Sequence, residues 1–286
     1  MFCKLFILLL TNMTINKTLI IIILAVCSFH LSGQGINRGA GGRQCAMGGC
    51  GVALEGSFAM VHNPALMAFQ PGFSAGLFYE NPYMLKGISN NYLYFSTPMA
   101  FGGVSGIDVS YFGYSNWQEL MVGLAYSRQL GKRLSAGIKI NYYHVNQPEG
   151  YENRGVPLAE AGIYYGLGKD VWIGVNVMNP NMVRWEKNSD YRLPAVMKMG
   201  VLWRISDWAL VTAEFEKEVN QDFVIRAGIE YKADERFYIR AGTAVHPNIH
   251  TIGFGYKSGI LMADVAAGWH SVFGVIPHLS LSLDLH

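Results

Sequence analysis

The strongest constraint on the fold of this chain is the strict alternation of apolar and polar residues near its end. Leucines share one face of this segment and polar side chains share the other: Leu279, Leu281, Leu283 and Leu285 against His278, Ser280, Ser282, Asp284 and His286. Because successive side chains of a β-strand point to opposite faces, a period of two predicts a strand with one apolar and one polar face.

The same alternation recurs throughout residues 73–286, in about fourteen segments of strand length. Short polar turns such as Gly131-Lys132 and Ser206-Asp207 separate many of them, and longer links alternate with these turns. The pattern predicts a single series of antiparallel hairpins. An even strand count places both ends of the chain on the same side, as in single-chain bacterial outer-membrane barrels.

The composition excludes several other classes of protein. Hydrophobic residues make up 51% of the chain and charged residues only 15%, against roughly 25% charged in soluble domains. The longest apolar run, residues 19–29, is shorter than the roughly 20 residues of a membrane-spanning helix, so a polytopic helical protein is excluded. The net charge of +2 gives no electrostatic reason to expect nucleic-acid binding.

Two all-β folds remain, a soluble barrel or sandwich with its apolar face inside and a membrane barrel with its apolar face in lipid. High hydropathy, hairpin links of unequal length and aromatic strand ends favour the membrane barrel. The aromatic residues expected to form girdles at the membrane surfaces are Tyr142, Tyr143, Tyr164, Tyr165, Trp172, Trp203, Trp208, Tyr231, Tyr238 and Trp269. We therefore predict a transmembrane antiparallel β-barrel of about fourteen strands over residues 73–286.

Residues 1–33 have the pattern of a secretory signal peptide. Lys17 precedes an apolar run that ends in small residues, and cleavage after Gly33 leaves Gln34 first. Residues 1–12 form an upstream extension, with Met13 the more conventional start. The alternative is a signal anchor that is never cleaved.

Residues 34–72 lack sustained alternation and contain a glycine cluster followed by Asn63-Pro64. Glycine permits close backbone approach, and Asn-Pro starts a turn or short helix. No P-loop lysine or βαβ unit accompanies the cluster, which excludes a phosphate-binding loop. A segment of this kind before a barrel predicts a plug, or hatch, inside the lumen.

The two cysteines outside the leader, Cys45 and Cys50, both lie in the glycine cluster. They form either a local disulfide, which an oxidising compartment permits, or two small buried side chains beside glycine. No cluster of Cys and His at ligand spacing indicates a metal site.

The hatch segment carries a resemblance to a known family. The run from Arg43 to Leu54, followed by an Asn-Pro-Ala turn, resembles the N-terminal hatch of FadL-like outer-membrane barrels. That family includes transporters of long-chain fatty acids and other hydrophobic molecules, and the PorV and PorQ barrels of type IX secretion. The matching residues of the motif are Met47, Gly48, Gly49, Gly51, Asn63, Pro64 and Ala65. The resemblance implies a barrel with a luminal hatch, in the outer membrane of a Gram-negative bacterium.

No constellation of nucleophile, base and acid is recognisable, so the sequence predicts neither catalysis nor a cofactor. The polar faces of the strands carry five basic and four acidic side chains: Lys139, Glu160, Lys198, Arg204, Glu214, Arg226, Glu230, Arg240 and Asp264. An ion-selective pore has one sign in excess. Near-balance instead predicts charges that pair across the lumen and anchor the hatch.

Two functions follow from the resemblance. The first, favoured by a leader that resembles those of exported Bacteroidetes proteins and by reduced outer loops, is a non-enzymatic accessory barrel of type IX secretion with protein partners. The alternative is a passive FadL-like transporter with a small hydrophobic ligand. In both, outer-membrane lipid surrounds the barrel.

Overall fold

The computed structural model describes residues 39–285, except 71, 101, 149–152, 186–189 and 220. The signal peptide expected at 1–33, its extension at 1–12 and the first residues of the 34–72 segment lie outside the described residues. Among the residues described, no helix combines the length and apolarity needed to cross a membrane.

Fourteen antiparallel strands pair in sequence order, and β1 pairs with β14 to close a barrel. This confirms the fold predicted from the alternation. The strands are β1 Phe73–Glu80, β2 Ser89–Pro98, β3 Val104–Tyr114, β4 Trp117–Gln129, β5 Leu134–Asn146, β6 Arg154–Gly166, β7 Val171–Met178, β8 Val196–Ser206, β9 Ala209–Glu218, β10 Val224–Lys232, β11 Phe237–Val245, β12 Ile249–Ser258, β13 Leu261–His270 and β14 Gly274–Leu285.

The wall has an apolar outside and a polar inside. On β5, for example, Ile138 and Ile140 are more than 60% exposed, while Lys139 and Asn141 between them are buried. A soluble barrel reverses this arrangement, so the strands have the polarity of a wall that contacts lipid. The girdle expectation is wrong for four of the ten aromatic residues named above, Tyr143, Tyr164, Trp172 and Tyr238, which lie on the inward face.

Tyr143 and Tyr164 are buried in the lumen, while their neighbours Tyr142 and Tyr165 are exposed outside. Trp172 also faces inward and stacks on Tyr164 with ring centroids 4.9 Å apart, and Tyr238 shares the inward face of β11 with Arg240. The physical reason is the period of two itself, because consecutive strand residues cannot both face lipid.

The two ends of the barrel differ in their connections. At the end where β1 begins and β14 ends, which we call the turn end, the connections are short, such as residues 207–208 and 259–260. The opposite end, the loop end, carries the longest connections, residues 81–88 and 179–195, beside short ones such as residues 115–116. In single-chain bacterial barrels the short turns face the periplasm and the longer loops face outward.

Residues 39–70, the hatch, lie inside the lumen. Two short helices, α1 (Gly42–Ala46) and α2 (Ala59–His62), are followed by a 3₁₀-helix at Pro64–Phe69; a further short 3₁₀-helix, Pro82–Met84, lies in the β1–β2 loop. Hatch residues such as Leu54 and Leu66 are fully buried and pack with the inward side chains Tyr164 and Leu202. The core of this protein is therefore the contact between the hatch and the inner wall.

Candidate functional site: the hatch and the lumen

Glycines of the wall allow the hatch backbone to approach the strands closely. A Cβ atom at Gly174 would lie 2.0 Å from the carbonyl oxygen of Val52, and one at Gly242 would lie 2.1 Å from the amide nitrogen of Gly48. Real Cβ contacts to backbone are never so short. The wall and the hatch are thus complementary at the level of backbone atoms. The other inward glycines whose added Cβ would lie closer than 3.0 Å to a hatch atom are Gly106, Gly137, Gly162, Gly200, Gly228 and Gly253.

The Asn-Pro-Ala turn joins the hatch to itself and to β4, β5 and β6. Asn63 accepts a hydrogen bond from the amide of Ala65 at 3.0 Å, and its side-chain nitrogen donates to the carbonyls of Val52 and Ile163. Ser127 and Ser135 donate to the carbonyl of Ala65. Pro64 occupies the first turn of the 3₁₀-helix, where a missing N–H is not required.

The glycine cluster binds the opposite wall through its backbone amides. Gly48 donates to the Thr251 hydroxyl at 2.9 Å. The amides of Gly51 and Val52 both donate to Oε2 of Glu214, at 2.8 and 2.9 Å. Met47 is fully buried against β10, and Gly49 lies beside the Arg226 side chain. The motif predicted from the sequence is therefore a contact surface for the wall.

A buried charge network joins the hatch to β10, β11 and β13. Arg43 of the hatch binds Glu230 through two hydrogen bonds of 2.7 and 2.6 Å. Arg240, only 1% exposed, binds Glu230 and Asp264 at 2.5 Å each. Two arginines and two carboxylates balance their charges, which is the condition for keeping such groups out of water.

The remaining lumen charges are also partnered. Lys198 and Arg226 bind Glu216 at 3.2 and 3.0 Å, and Arg226 also lies 3.4 Å from Glu214. Lys139 binds Asp108 at 2.8 Å. Glu160 accepts hydrogen bonds from the side chains of Asn141 and Asn176. All nine charged residues named from the sequence face the lumen.

Several partners in these networks were not identified from the sequence. Asp108 and Glu216 stand on the polar faces of their strands, two residues from Ser110 and Glu214, so the alternation itself contained that signal. Glu55 of the hatch binds Arg204 at 2.5 Å and accepts a hydrogen bond from Tyr164. No sequence pattern predicts that Glu55 belongs to these networks, because its two partners are separated from it by more than a hundred residues along the chain.

Cys45 and Cys50 are free thiols, so the disulfide alternative is not what the structure shows. Cys45 in α1 points to β1 and β14, where it lies near Glu80 and His278. Cys50 is buried near Glu214 and Arg226 of β9 and β10, and burial raises its pKa. The two side chains are directed to different walls of the lumen, which explains why they do not pair.

His62 of the hatch is a buried neutral histidine. Its Nε2 lies 2.8 Å from the carbonyl oxygen of Ala40, an acceptor, so Nε2 carries the proton. The pKa of His62 is lowered to about 4, chiefly by burial and also by nearby Lys198 and Arg226, while the hydrogen bond to Ala40 and the charge of Glu214 oppose this.

This histidine makes hatch docking sensitive to acid. An unfolded histidine has a pKa near 6.5, so the folded state loses stability as pH falls from about 6.5 to 4, by about 3 kcal/mol in total. We expect the thermal unfolding midpoint of the wild-type protein to fall across this window more steeply than that of a His62→Gln variant. Parallel pH profiles for the two proteins would contradict this assignment.

The loop-end half of the lumen contains a cluster of packed, buried apolar side chains, which we call the apolar compartment. It is formed by inward side chains of β4–β8 and by the described part of the β7–β8 loop: Met121, Tyr143, Val145, Leu158, Met178, Leu193 and Val196, with Trp117, Val156, Val183 and Trp185 at its margin. Asn179 fixes this loop, since its side chain donates to the Leu193 carbonyl and accepts from the Val183 amide. The loop thereby brings Leu193 and Trp185 onto the compartment.

The lumen therefore has three layers of different polarity. The apolar compartment lies at the loop end, and a polar belt that includes Lys139, Glu160 and Lys198 lies below it. The hatch and its apolar contacts, with Phe69 packed on Trp172 at 5.2 Å, fill the turn end and extend along β1 as far as Glu80. These features define a closed outer-membrane-type barrel whose lumen is obstructed by its own N-terminal segment.

The fold is that of known hydrocarbon channels. The chain is similar to the CymD monoaromatic hydrocarbon channel, with a TM-score of 0.66 and 15% identity over 88% of this chain and 99% of that chain. It is also similar to the toluene transporter TodX of P. putida, with a TM-score of 0.63 and 12% identity over 87% of this chain and 99% of the transporter. A FadL homologue of Pseudomonas aeruginosa gives a TM-score of 0.64 and 10% identity, over 88% and 100% of the two chains.

No protein-family model matches the sequence, and no curated protein matches it. At identities this low the likeness concerns the fold alone, which is a FadL- and TodX-like barrel. These neighbours give no support to the secretion function that the sequence analysis favoured. Their descriptions as channels and transporters favour the alternative, a transporter of hydrophobic molecules.

Proposed function

We propose that this protein is a passive, non-enzymatic channel for small hydrophobic molecules in the outer membrane of a Gram-negative bacterium. The observation that carries the proposal is the apolar compartment at the loop end of the lumen, inside a fold shared with channels for toluene and other monoaromatic hydrocarbons. Ligand sites for such molecules are mostly apolar and rich in aromatic side chains, and the compartment has both of these features.

The compartment has the chemistry of a first binding surface for an apolar solute. Leu158 and Val196 form its base, and the rings of Tyr143 and Trp185 lie 5.8 Å apart at its side. Met121 and Met178 add flexible thioether side chains, which adapt to ligands of different shape. When a molecule such as toluene leaves water for this surface, its free energy falls by roughly 25 cal/mol per Å² of apolar area buried.

Passage beyond the compartment requires the hatch to move. The polar belt below it offers no continuous apolar path, and the hatch occupies the lumen from there to the turn end. The contacts that hold the hatch are apolar contacts, hydrogen bonds and ion pairs rather than covalent bonds. Such contacts break and re-form, so the hatch can act as a reversible plug.

A polar substitution in the compartment tests this function. In a host strain without its own hydrophobe channel, we expect the wild-type protein to increase uptake of labelled toluene and of a long-chain fatty acid. Leu158→Asn places an amide in the apolar compartment at a cost of about 1–3 kcal/mol, so uptake should fall by about tenfold. Leu130→Asn, at a residue 61% exposed in the β4–β5 turn, is the matched control and should leave uptake unchanged.

Deletion of the gene in its own host separates the two functions considered. Impaired uptake with normal protein secretion supports the channel. Normal uptake with loss of secreted proteins would overturn it in favour of the accessory role in secretion.

A further inference from the structure

We propose that Cys45, Glu80 and His278 form a binding site for a divalent transition metal of the zinc class, which links the hatch to the seam of the barrel. One potential ligand atom from each residue lies within 4.8 Å of the other two. The proposal does not rest on a transport function, because it concerns only how the hatch is held.

The fold brings these residues together from three distant segments. Glu80 ends β1 and is the register partner of His278 on β14, so both face the lumen across the strand pair that closes the barrel. Cys45 approaches from α1 of the hatch. A metal bound here would connect β1, β14 and the hatch at one point.

The geometry fits tetrahedral coordination by mixed ligands. Nδ1 of His278 lies 3.3 Å from Oε2 of Glu80, and zinc bonds of about 2.0–2.1 Å place two tetrahedral ligand atoms at about that separation. Thiolate, imidazole and carboxylate are all zinc ligands, and three protein ligands leave a fourth position for water. The ring of His278 is held by stacking on Phe78, with centroids 6.1 Å apart.

Independent evidence comes from buried polar atoms without partners. The His278 side chain is 9% exposed, and its Nδ1 faces Oε2 of Glu80 at 3.3 Å without a hydrogen-bond partner of normal geometry. Asn90, 1% exposed and the register partner of Glu80 on β2, also has an unpartnered side-chain oxygen. Buried polar groups are nearly always satisfied. A metal at this site supplies the partner that His278 Nδ1 lacks.

The sequence analysis found no metal site because no two of these ligands are close along the chain. Cys45, Glu80 and His278 meet only when the barrel closes and the hatch enters the lumen.

Metal binding is tested on the full chain in detergent, with Cys3→Ser and Cys27→Ser so that Cys45 and Cys50 are the only thiols. After chelation under reducing conditions, we expect the protein to bind about one equivalent of Zn²⁺. With Co²⁺ it should show a thiolate-to-metal charge-transfer band. Cys50→Ser, the matched control, should bind equally, while Cys45→Ser and His278→Gln should weaken binding by about 100-fold or more.

Alkylation kinetics keep the proposal falsifiable where a ligand variant fails to fold. In the Cys50→Ser protein, which has Cys45 as its single thiol, Zn²⁺ should slow alkylation by at least about tenfold. An alkylation rate unaffected by Zn²⁺ would overturn the proposal. So would Zn²⁺ binding that survives Cys45→Ser undiminished.

Discussion

Replacing Arg240 by methionine will cost the folded barrel about 3–5 kcal/mol, the range expected when one partner of a buried ion network is removed. Arg240 is 1% exposed and binds Glu230 and Asp264 at 2.5 Å each. Without it, Arg43 still neutralises Glu230, but the hydrogen bond that Asp264 keeps within the described part of the chain is a 3.3 Å contact from Ser280. A buried carboxylate in that position must either stay charged without a cation or bind a proton.

The measurement is the temperature at which the compact form, seen as faster migration on unheated gels, is lost. Lys232→Met is the matched control, because Lys232 pairs with Glu235 at the turn end, where the two side chains are 25% and 73% exposed. Exposed pairs contribute about 0–1 kcal/mol. If both variants lose the compact form at the same temperature, the Arg240 network does not stabilise the barrel.

The wall of this barrel was predictable because most of it repeats one simple rule, although β4–β8 turn apolar side chains such as Leu158 inward near the loop end. In β13 and β14 the alternation of Val265 with Asp264, or of Leu281 with Ser280, fixes which side chains face lipid and which face the lumen. The same rule corrects the aromatic girdles, since Tyr142 and Tyr143 are consecutive and must diverge. The fold and the inward charges thus follow from local pattern.

The contacts made by the hatch were not predictable in the same way. Arg43 and Glu230 are separated by 187 positions, and Cys45 meets His278 only across the closed lumen. A glycine cluster indicates close packing, but it does not indicate which strands the cluster contacts. The contacts of the β7–β8 loop were equally unpredictable. Its residues Val183, Trp185 and Leu193 have no periodicity that would predict their return to the lumen.

A larger side chain on the inner wall should have a different effect from the loss of Arg240. It should displace the hatch and leave the barrel itself intact. At Gly242 an added Cβ lies 2.1 Å from the Gly48 nitrogen and 2.3 Å from the Met47 carbonyl carbon, both backbone atoms that cannot rotate away. Overpacking of this kind costs about 3 kcal/mol, which shifts the balance between docked and undocked hatch by about 100-fold. The strand itself loses nothing, because valine favours β-structure.

Gly242→Val should therefore open the lumen, since undocking at this wall also breaks the hydrogen bond from Gly48 to Thr251 and those from Gly51 and Val52 to Glu214. We expect ionic current across planar bilayers containing the variant, entry of large polar antibiotics into cells that express it, and protease cleavage in residues 39–70. The control is Gly168→Val in the β6–β7 turn, where an added Cβ has no atom within 4 Å. If Gly242→Val forms a compact barrel that stays closed to ions, the close contact between Gly48 and β11 is not what keeps the hatch in place.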